Sequence, residues 1–345
     1  MLMPGLLVGC ATWSPESWDR YEFTRTQMGL PFRIVLYAPN DGVAHRAANA
    51  AYARIRQLNR TMSDYEPESE LSLLSASSGR GQAVKVSDDL WRVLQTAQQF
   101  SAKSDGAFDV TVGPIVSHWR KARRIRTLPS DTDVAEAMSH VGWQKIRFNE
   151  ANHTVELLAP GMKLDLGAIA KGYAAQEALN TMQAHGVARA LVSGGGDMAA
   201  GDPPPGRTGW RIELPPLDNA GATTTNFVLI ANCGFATSGD QFQRVELGGK
   251  RFSHIVDPHT GIGLTDHSLV VVIAPDGMTA DALSTTLSVL GPERGLKLIE
   301  ATAGCAARIV RMPVSELEVR ESAGFSRFLE TSEAPLSPRR QTDGK

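Results

Sequence analysis

The pattern of hydrophobic and polar residues along the chain predicts a mixture of strands and helices. The run RIVLYA at residues 33–38 is typical of a strand. A helix is predicted to follow it from about residue 42 to residue 59, with Asp41 as its N-cap. Apolar and β-branched residues predict further strands at residues 154–158, 188–192, 227–231 and 268–274. Further helices are predicted after Ser87, over residues 168–185 and over residues 279–290.

The helix after Ser87 has a clear apolar stripe. The residues that recur at helical spacing are Leu90, Val93, Leu94 and Ala97. Such a stripe predicts a helix that packs on the core rather than a cofactor-binding surface. Because the predicted strands and helices do not alternate strictly, the pattern favours an α+β fold over a doubly wound sheet.

The composition excludes several classes of protein. The chain of 345 residues carries 35 Lys and Arg against 37 Asp and Glu, a formal net charge of −2. Proteins that bind nucleic acids or anionic membrane surfaces depend on an excess of basic over acidic residues. No nucleic-acid partner is therefore expected. No run of about 18 apolar residues is present, so no membrane-spanning helix is predicted.

The two ends of the chain are predicted to lie outside the folded domain. Residues 1–20 are interpreted as a leader or tether, residues 21–330 as one domain and residues 331–345 as a disordered tail. Leu7-Val8-Gly9-Cys10 is typical of a bacterial lipobox, although a basic start and a full apolar stretch are missing. Either this is a shortened lipoprotein signal with a lipid anchor at Cys10, or the match is coincidental.

The three cysteines predict neither a disulfide framework nor a zinc site. Their spacing matches no CxxC pattern. Cys233 and Cys305 lie in apolar stretches, so we expect both to be buried thiols of the core.

Residues 163–172, KLDLGAIAKG, combine small residues with a lysine. A short strand is predicted to end at Leu164 or Asp165, with Gly167 and Ala168 opening a helix. Free N–H groups at a helix start attract anions, and Lys171, one turn further on, can reach the same phosphate. The alternative is a capped, tightly packed helix with a solvated lysine.

A second candidate site lies at residues 279–286, TADALSTT. On a helix, Asp281 and Thr285 present oxygen atoms to the same side, with Ser284 adjacent. A carboxylate with hydroxyl groups suits a hard cation such as Mg²⁺, which takes phosphate oxygens as further ligands. The alternative is that Asp281 caps the helix and the hydroxyls bond to neighbouring carbonyl groups.

Two further segments contain turns. SGGGD at residues 193–197 has a backbone that can approach a ligand closely, although it is neither a P-loop nor a dinucleotide fingerprint. HIVDPHTG at residues 254–261 is predicted to end a strand in a turn. His254 is a candidate acid or base near phosphate, and the alternative is a structural histidine.

Taken together and in this order, these segments resemble the ApbE family of FAD:protein FMN transferases. The resemblance spans residues 28–291 and most of the chain. The segments that carry it are Met28-Gly29, SDYEPESEL at 63–71, GAFDVTVGP at 106–114, DLGAIAKG at 165–172, SGGGD at 193–197, TSG at 237–239, HIVDPHTG at 254–261 and ADALST at 280–285.

The resemblance implies a fold and a set of site residues. The fold would be a single large α+β domain, related to the T-fold, with mixed sheets packed against helices and a flavin site in a cleft between lobes. The residues implied to bind FAD are Met28, Tyr65, Ala107, Phe108, Asp109, Asp165, Lys171 and Ile255. The implied Mg²⁺ ligands are the Ala168 carbonyl, Asp281 and Thr285, with Ser284 at the edge. Where the family often has arginine in the Asp-Pro-Arg-Thr-Gly turn, this chain has His259.

The resemblance also implies an activity. FMN would be transferred from FAD to a threonine or serine hydroxyl of an acceptor protein, with Mg²⁺, and AMP would be released. Asp281, Lys171 and His254 would be catalytic, with Asp257 or a metal-bound water as alternative bases to His254. The alternatives are an FAD pyrophosphatase, which uses water as the nucleophile, and a non-catalytic FAD carrier.

The setting implied is protein flavinylation in the bacterial periplasm. The acceptor would be a membrane or periplasmic flavoprotein, such as a subunit of a sodium-pumping or electron-transfer complex. A lipid anchor at Cys10 would hold the transferase at the inner membrane.

Overall fold

A computed structural model describes residues 18–217, 226–240, 244–313 and 316–330. Cys10, with the lipid anchor predicted on it, and the predicted tail at residues 331–345 lie outside the described residues. Asp19 and Arg20, which the sequence analysis assigned to the leader, instead begin the first strand. In the described part of the chain, no helix is long and apolar enough to cross a membrane.

The described residues form seven α-helices and fifteen strands. The helices are α1 (Asp41–Met62), α2 (Glu70–Ala76), α3 (Asp88–Lys103), α4 (Gly113–Ile125), α5 (Asp131–Ser139), α6 (Ala170–Ala184) and α7 (Gly277–Glu300). The strands are β1 (Asp19–Gln27), β2 (Leu30–Ala38), β3 (Val84–Lys85), β4 (Ile146–Asn149), β5 (Thr154–Leu157), β6 (Ala190–Gly194), β7 (Asp197–Ala200), β8 (Trp210–Glu213), β9 (Phe227–Ile230), β10 (Cys233–Gly239), β11 (Arg244–Leu247), β12 (Lys250–Ser253), β13 (Ser268–Ala274), β14 (Ala306–Arg311) and β15 (Glu318–Glu321). Two short 3₁₀ helices occupy Trp143–Lys145 and Phe325–Phe328.

The strands form one large antiparallel sheet and three small ones. The large sheet has the order β1-β2-β6-β7-β10-β13-β14-β15. The small sheets are β3-β5-β4, β8-β9 and β11-β12, and every strand pair in the described residues is antiparallel. This single-domain architecture confirms the predicted α+β class.

The large sheet is covered on both faces. Every residue of β13 is buried, and its side chains alternate between the two faces. Val270 and Val272 join the core formed with helices α1, α6 and α7, whereas Val271 and Ile273 join a second core with the β8–β9 hairpin. A third apolar cluster joins helices α4 and α5 to the β11–β12 hairpin.

Most of the predicted elements are present, with shifted ends. The predicted strand at residues 33–38 belongs to β2, and the apolar stripe of α3 faces the main core. The N-cap prediction for α1 was wrong by one residue. Asn40 caps the helix, because its side-chain oxygen accepts the Val43 N–H at 3.0 Å, whereas Asp41 is already helical.

The segment before α6 differs more from the prediction. No strand ends at Leu164 or Asp165; Lys163 makes only an isolated bridge to Val112. The helix begins at Ala170, because Ile169 has a φ of −152° and lies outside the helical range. Residues 163–166 therefore lead into a turn at residues 167–169, in which the Ile169 N–H donates to the Leu166 carbonyl at 3.1 Å, and α6 begins after it.

One ionic network joins α6 to helices α1 and α3. Arg54 on α1 donates to both carboxylate oxygens of Asp89 on α3, at 2.6 and 2.5 Å, and to Glu177 on α6 at 2.5 Å. The Tyr173 hydroxyl donates to Asp89 at 2.7 Å. All three charged side chains are about four-fifths buried, so the network fixes three helices relative to one another.

Replacing Arg54 should therefore destabilise the fold. Arg54→Met leaves Asp89 and Glu177 partly buried without their cation, and we expect a loss of about 2 kcal/mol in the free energy of unfolding. Urea denaturation measures this loss. The matched control is Arg56→Met, which removes an exposed arginine from the same helix. Equal losses in the two variants would contradict the role given to the network.

Candidate active site

The centre of the candidate site is a buried group of three charged side chains. Lys171, in the first turn of α6, forms an ion pair with Asp197, the first residue of β7. Its ammonium group also lies 3.5 Å from Asp281 Oδ1 on α7. Asp197 is 1% exposed and Asp281 is 2% exposed. The structure thus brings the predicted Lys171 and Asp281 together and adds Asp197.

A close crossing of α6 and α7 places these residues. A Cβ atom at Gly172 would lie 2.6 Å from the Cβ of Asp281, and one at Gly277 would lie 2.5 Å from the Gly172 carbonyl oxygen. Only glycine fits at both positions. Because the helices approach this closely, the Gly172 N–H donates to Asp281 Oδ2 at 2.9 Å. That N–H lies in the first turn of α6, where backbone donors lack an intrahelical partner, so Asp281 caps the neighbouring helix.

The pKa values of Asp197 and Lys171 are both strongly shifted. Burial raises the pKa of Asp197 to about 7, the charge of Asp281 adds to the rise, and Lys171 opposes it. Burial alone would lower the pKa of Lys171, but Asp197 and Asp281 raise that pKa above its ordinary value. Lys171 is therefore a permanent cation, and two carboxylates share it.

Hydroxyl groups extend the site along α7. Ser238 on β10 lies 2.7 Å from the Ser284 hydroxyl and 3.3 Å from Thr285 Oγ1. Ser284 is fully buried and donates to the Asp281 carbonyl at 2.9 Å, while Thr285 stays partly exposed. The predicted Asp281, Ser284 and Thr285 thus lie on one side of the helix, and Thr285 has the more accessible oxygen.

The oxygen atoms of this site fit a hard cation. Asp197 Oδ1 is buried without a hydrogen-bond partner, which leaves carboxylate charge unsatisfied. The predicted Ala168 carbonyl lies outside the helical ladder, since Gly172 donates to Asp281 and residue 169 is not helical. In the residues that the structure describes, no group of three or more His, Cys, Asp or Glu side chains is placed to hold a metal. A cation here therefore depends on neutral oxygens and ligand phosphate, as Mg²⁺ does.

A second group of residues surrounds the predicted Asp165 and Tyr65. Arg120 on α4 donates to Asp165 Oδ2 at 2.7 Å and forms an ion pair with Asp64. Its guanidinium carbon lies 4.4 Å from the centre of the Tyr65 ring. Asp165 Oδ1 accepts the Gly167 N–H at 2.8 Å. The two predicted residues are thus joined through an arginine that the sequence analysis did not identify.

The predicted residues 107–109 support this group from inside. Ala107 and Phe108 are buried, and Asp109 accepts the Thr111 N–H at 2.7 Å and the Trp143 N–H at 2.9 Å. Burial raises the pKa of Asp109, although these hydrogen bonds oppose the rise. The segment runs beside Asp165, whose N–H donates to the Val110 carbonyl at 2.8 Å.

Two hairpin turns lie at the same end of the large sheet. Met28, predicted to bind FAD, is in the β1–β2 turn with a φ of +50° and packs partly against the main core. In the β6–β7 turn, Gly195 and Gly196 both have positive φ. A Cβ at Gly195 would lie 3.1 Å from the Leu30 side chain, so the two turns are neighbours.

The remaining predicted residues follow β12. His254 is partly buried. Ile255 is buried, and its N–H donates to Ser253 Oγ at 3.1 Å. The following turn closes as predicted, with the Gly261 N–H donated to the Asp257 carbonyl at 2.8 Å. These residues follow the β11–β12 hairpin, which packs on α4, and they do not lie on α6 or α7.

The cysteine prediction was only partly right. Cys233 and Cys305 are half-buried rather than enclosed in the core. Burial raises the pKa of each thiol to about 11, so neither has the thiolate character of a nucleophile at neutral pH.

His259 connects this turn to the segment before Ala107. Its Nε2 lies 2.8 Å from the Asp105 carbonyl oxygen, and its Nδ1 lies 3.1 Å from Asp257 Oδ1. Both contacts need a ring N–H, which only the protonated imidazole has at both nitrogens. The hydrogen bond to Asp105 raises the pKa of His259, burial opposes the rise, and Asp257 adds to it.

We expect this connection to weaken as the pH rises. Because the folded-state pKa is raised, the stabilisation is complete below the ordinary histidine pKa of about 6.5 and is lost as the pH passes the raised value. Thermal melts of the wild type and His259→Gln, whose side chain stays neutral, measure the effect. The difference in melting temperature should shrink between pH 6 and pH 8, and a constant difference would contradict this prediction.

Comparison with known proteins places the chain among flavin transferases. The ApbE family model matches residues 28–309. A Haemophilus influenzae protein named FAD:protein FMN transferase is 31% identical over 287 residues, which cover 81% of this chain and 83% of the relative. A Treponema pallidum protein of the same name is 30% identical over 321 residues, 88% of each chain.

Solved structures agree with this result. The flavin transferase ApbE from Vibrio cholerae superposes with a TM-score of 0.82 at 25% identity, over 90% of this chain and all of the other. The apo form of Pseudomonas stutzeri flavinyl transferase ApbE superposes with a TM-score of 0.78 at 28% identity, over 90% of this chain and 97% of the other. Since the family model matches most of the chain and relatives of at least 30% identity span more than two thirds of it, the chain belongs to the ApbE family.

Proposed function

We propose that this enzyme transfers FMN from FAD to a threonine or serine hydroxyl of an acceptor protein, with Mg²⁺ as cofactor and AMP as the second product. Membership of the ApbE family and the names of the relatives support the transferase class. The observation that carries the proposal is the buried group of Lys171, Asp197 and Asp281, beside the hydroxyls of α7.

The reaction is a phosphoryl-type transfer. The acceptor hydroxyl oxygen forms a bond to the FMN phosphorus, and the bond from that phosphorus to the bridging oxygen of the pyrophosphate breaks. The electron pair leaves with AMP, and the hydroxyl proton passes to a base. Such reactions require alignment and charge stabilisation more than a covalent nucleophile of the enzyme.

The chain's own residues supply that stabilisation. Lys171 is held as a cation at the start of α6, where it can pair with an oxygen of the pyrophosphate. Asp281, Thr285 and the Ala168 carbonyl would hold Mg²⁺, with Ser284 behind them. When bound, the cation neutralises charge on the pyrophosphate oxygens. Asp197 holds Lys171 against α6, so the ammonium group stays positioned.

For the base, we propose His254. The alternative, Asp257, already accepts the His259 backbone N–H at 2.9 Å through Oδ1 and contacts the His259 ring through the same oxygen. Asp257 Oδ1 is therefore already occupied as an acceptor within its own turn. Histidine has an ordinary pKa near neutrality, which suits proton removal from a hydroxyl group.

The other assignments implied by the family are part of the same proposal. Met28, Tyr65, Ile255, Asp165 and the segment 107–109 would bind FAD. The acceptor would be a membrane or periplasmic flavoprotein, and the enzyme would act in the bacterial periplasm. The lipobox-like residues 7–10 support that location.

The first test follows the flavin. We incubate the protein with FAD, Mg²⁺ and the soluble flavin-carrying domain of a sodium-pumping complex, and then denature the mixture. Flavin fluorescence should stay with the acceptor band, the acceptor mass should increase by one FMN, and AMP should appear in equal amount. An acceptor with its target threonine replaced by alanine is the control. Free FMN with AMP would indicate a pyrophosphatase, and uncleaved FAD would indicate a carrier.

The second test removes the charge of Asp281. Asp281→Asn keeps an oxygen for the Gly172 N–H, so the helix crossing and the fold should survive. We expect transfer to fall by about 10³-fold or more, because the variant loses a metal ligand and charge at the reacting phosphate. The matched control is Asp89→Asn, in the ionic network of Arg54, Asp89 and Glu177. This variant should be less stable than the wild type but should transfer FMN at the normal rate. Near-normal turnover in Asp281→Asn would contradict the assignment.

A further inference from the structure

Arg120 joins three separate segments of the chain. It lies on α4, and its two terminal nitrogens contact Asp64, after α1, and Asp165, before α6. Its guanidinium carbon lies over one face of the Tyr65 ring, 4.4 Å from the ring centre. One side chain therefore fixes two carboxylates and an aromatic ring that would otherwise have no common support.

Tyr65 presents an open aromatic surface. Its side chain is 72% exposed, although one face of the ring contacts Arg120. Tyrosine is enriched at interfaces, because its ring offers a large apolar surface beside a polar hydroxyl group. The guanidinium on one face leaves the other face free to stack against a planar heteroaromatic ring.

Asp165 depends on the same arginine for its charge. The carboxylate is 8% exposed, and both burial and the nearby Asp64 raise its pKa, whereas Arg120 and the Gly167 N–H lower it. Without the guanidinium, two carboxylates would face each other in a poorly hydrated place. The net effect is a raised pKa, and Arg120 limits the rise while its hydrogen bond to Oδ2 fixes the position of the Asp165 carboxylate.

We propose that Arg120 is a positioning residue of the dinucleotide site, which holds Tyr65 as a stacking platform and Asp165 as an acceptor for a planar nucleotide ring. This inference rests on the proposed function, because it assigns the ring to FAD. Lysine is a poor replacement for Arg120, since an ammonium group lacks the planar fork with which a guanidinium pairs carboxylates and stacks on an aromatic ring.

Titration of the purified protein with FAD alone tests the proposal. Arg120→Met should raise the dissociation constant for FAD about tenfold, the effect of losing a cation–π contact and a charge-assisted hydrogen bond. Arg120→Lys keeps a positive charge between the carboxylates, so it tests the proposal even if the Met variant fails to fold, and it should lose about fivefold. The matched control, Arg124→Met, removes an exposed arginine one turn further along α4 and should bind FAD normally.

A double-mutant cycle separates positioning from general damage. If Arg120 acts through the Tyr65 ring, Arg120→Met combined with Tyr65→Ala should weaken FAD binding by less than the product of the two single effects. Multiplicative losses, or a change below twofold in both folded Arg120 variants, would overturn the proposal.

Titrations with AMP and FMN identify the ring. Tyr65→Ala should weaken binding of AMP or of FMN, whichever half of the dinucleotide stacks on the ring. Unchanged binding of both halves would overturn the proposal. These measurements need no acceptor and no turnover. A failed transfer reaction with an intact Arg120 effect would therefore refute only the transferase, whereas normal transfer without that effect would refute only the role of Arg120.

Discussion

The site depends on how closely two helices cross. Gly172 of α6 and Gly277 of α7 allow a backbone separation that no side chain would permit. Because of that separation, one carboxylate of α7 caps the start of α6 and also faces the lysine next to the capped residue. The predicted alternative, in which Asp281 caps its own helix, was wrong: Asp276 caps α7 by accepting the Thr279 N–H at 2.8 Å, and Asp281 caps α6 instead.

The crossing concentrates negative charge where little water is present. Two buried carboxylates share one ammonium group, and an Asp197 oxygen stays without a hydrogen-bond partner. An isolated protein tolerates such an arrangement at a cost in stability. Under the proposed function, a ligand that brings a cation with its phosphates would reduce that cost and stabilise the loaded protein.

Patterns among neighbouring residues predicted the helices and strands. Contacts between residues far apart in the sequence could not be predicted from those patterns. The six consecutive apolar residues of β13 and the stripe of α3 were recognisable because each pattern is set by neighbours in the sequence. The spacing of Asp281, Ser284 and Thr285 correctly predicted a shared side of one helix.

Asp197 and Arg120 were missed for different reasons. Asp197 ends the SGGGD segment, which the sequence analysis identified as a backbone that can approach a ligand. Its partner Lys171, however, lies 26 residues earlier in the chain, on α6. Arg120 is on α4, a helix without a side-chain N-cap that the sequence analysis did not predict. The separation of the site's parts has a consequence for biosynthesis: residues 172 and 281 meet only after more than a hundred intervening residues are made. A ribosome-bound chain that stops before α7 lacks Asp281 and the helix crossing, so the proposed site forms only when the domain is nearly complete.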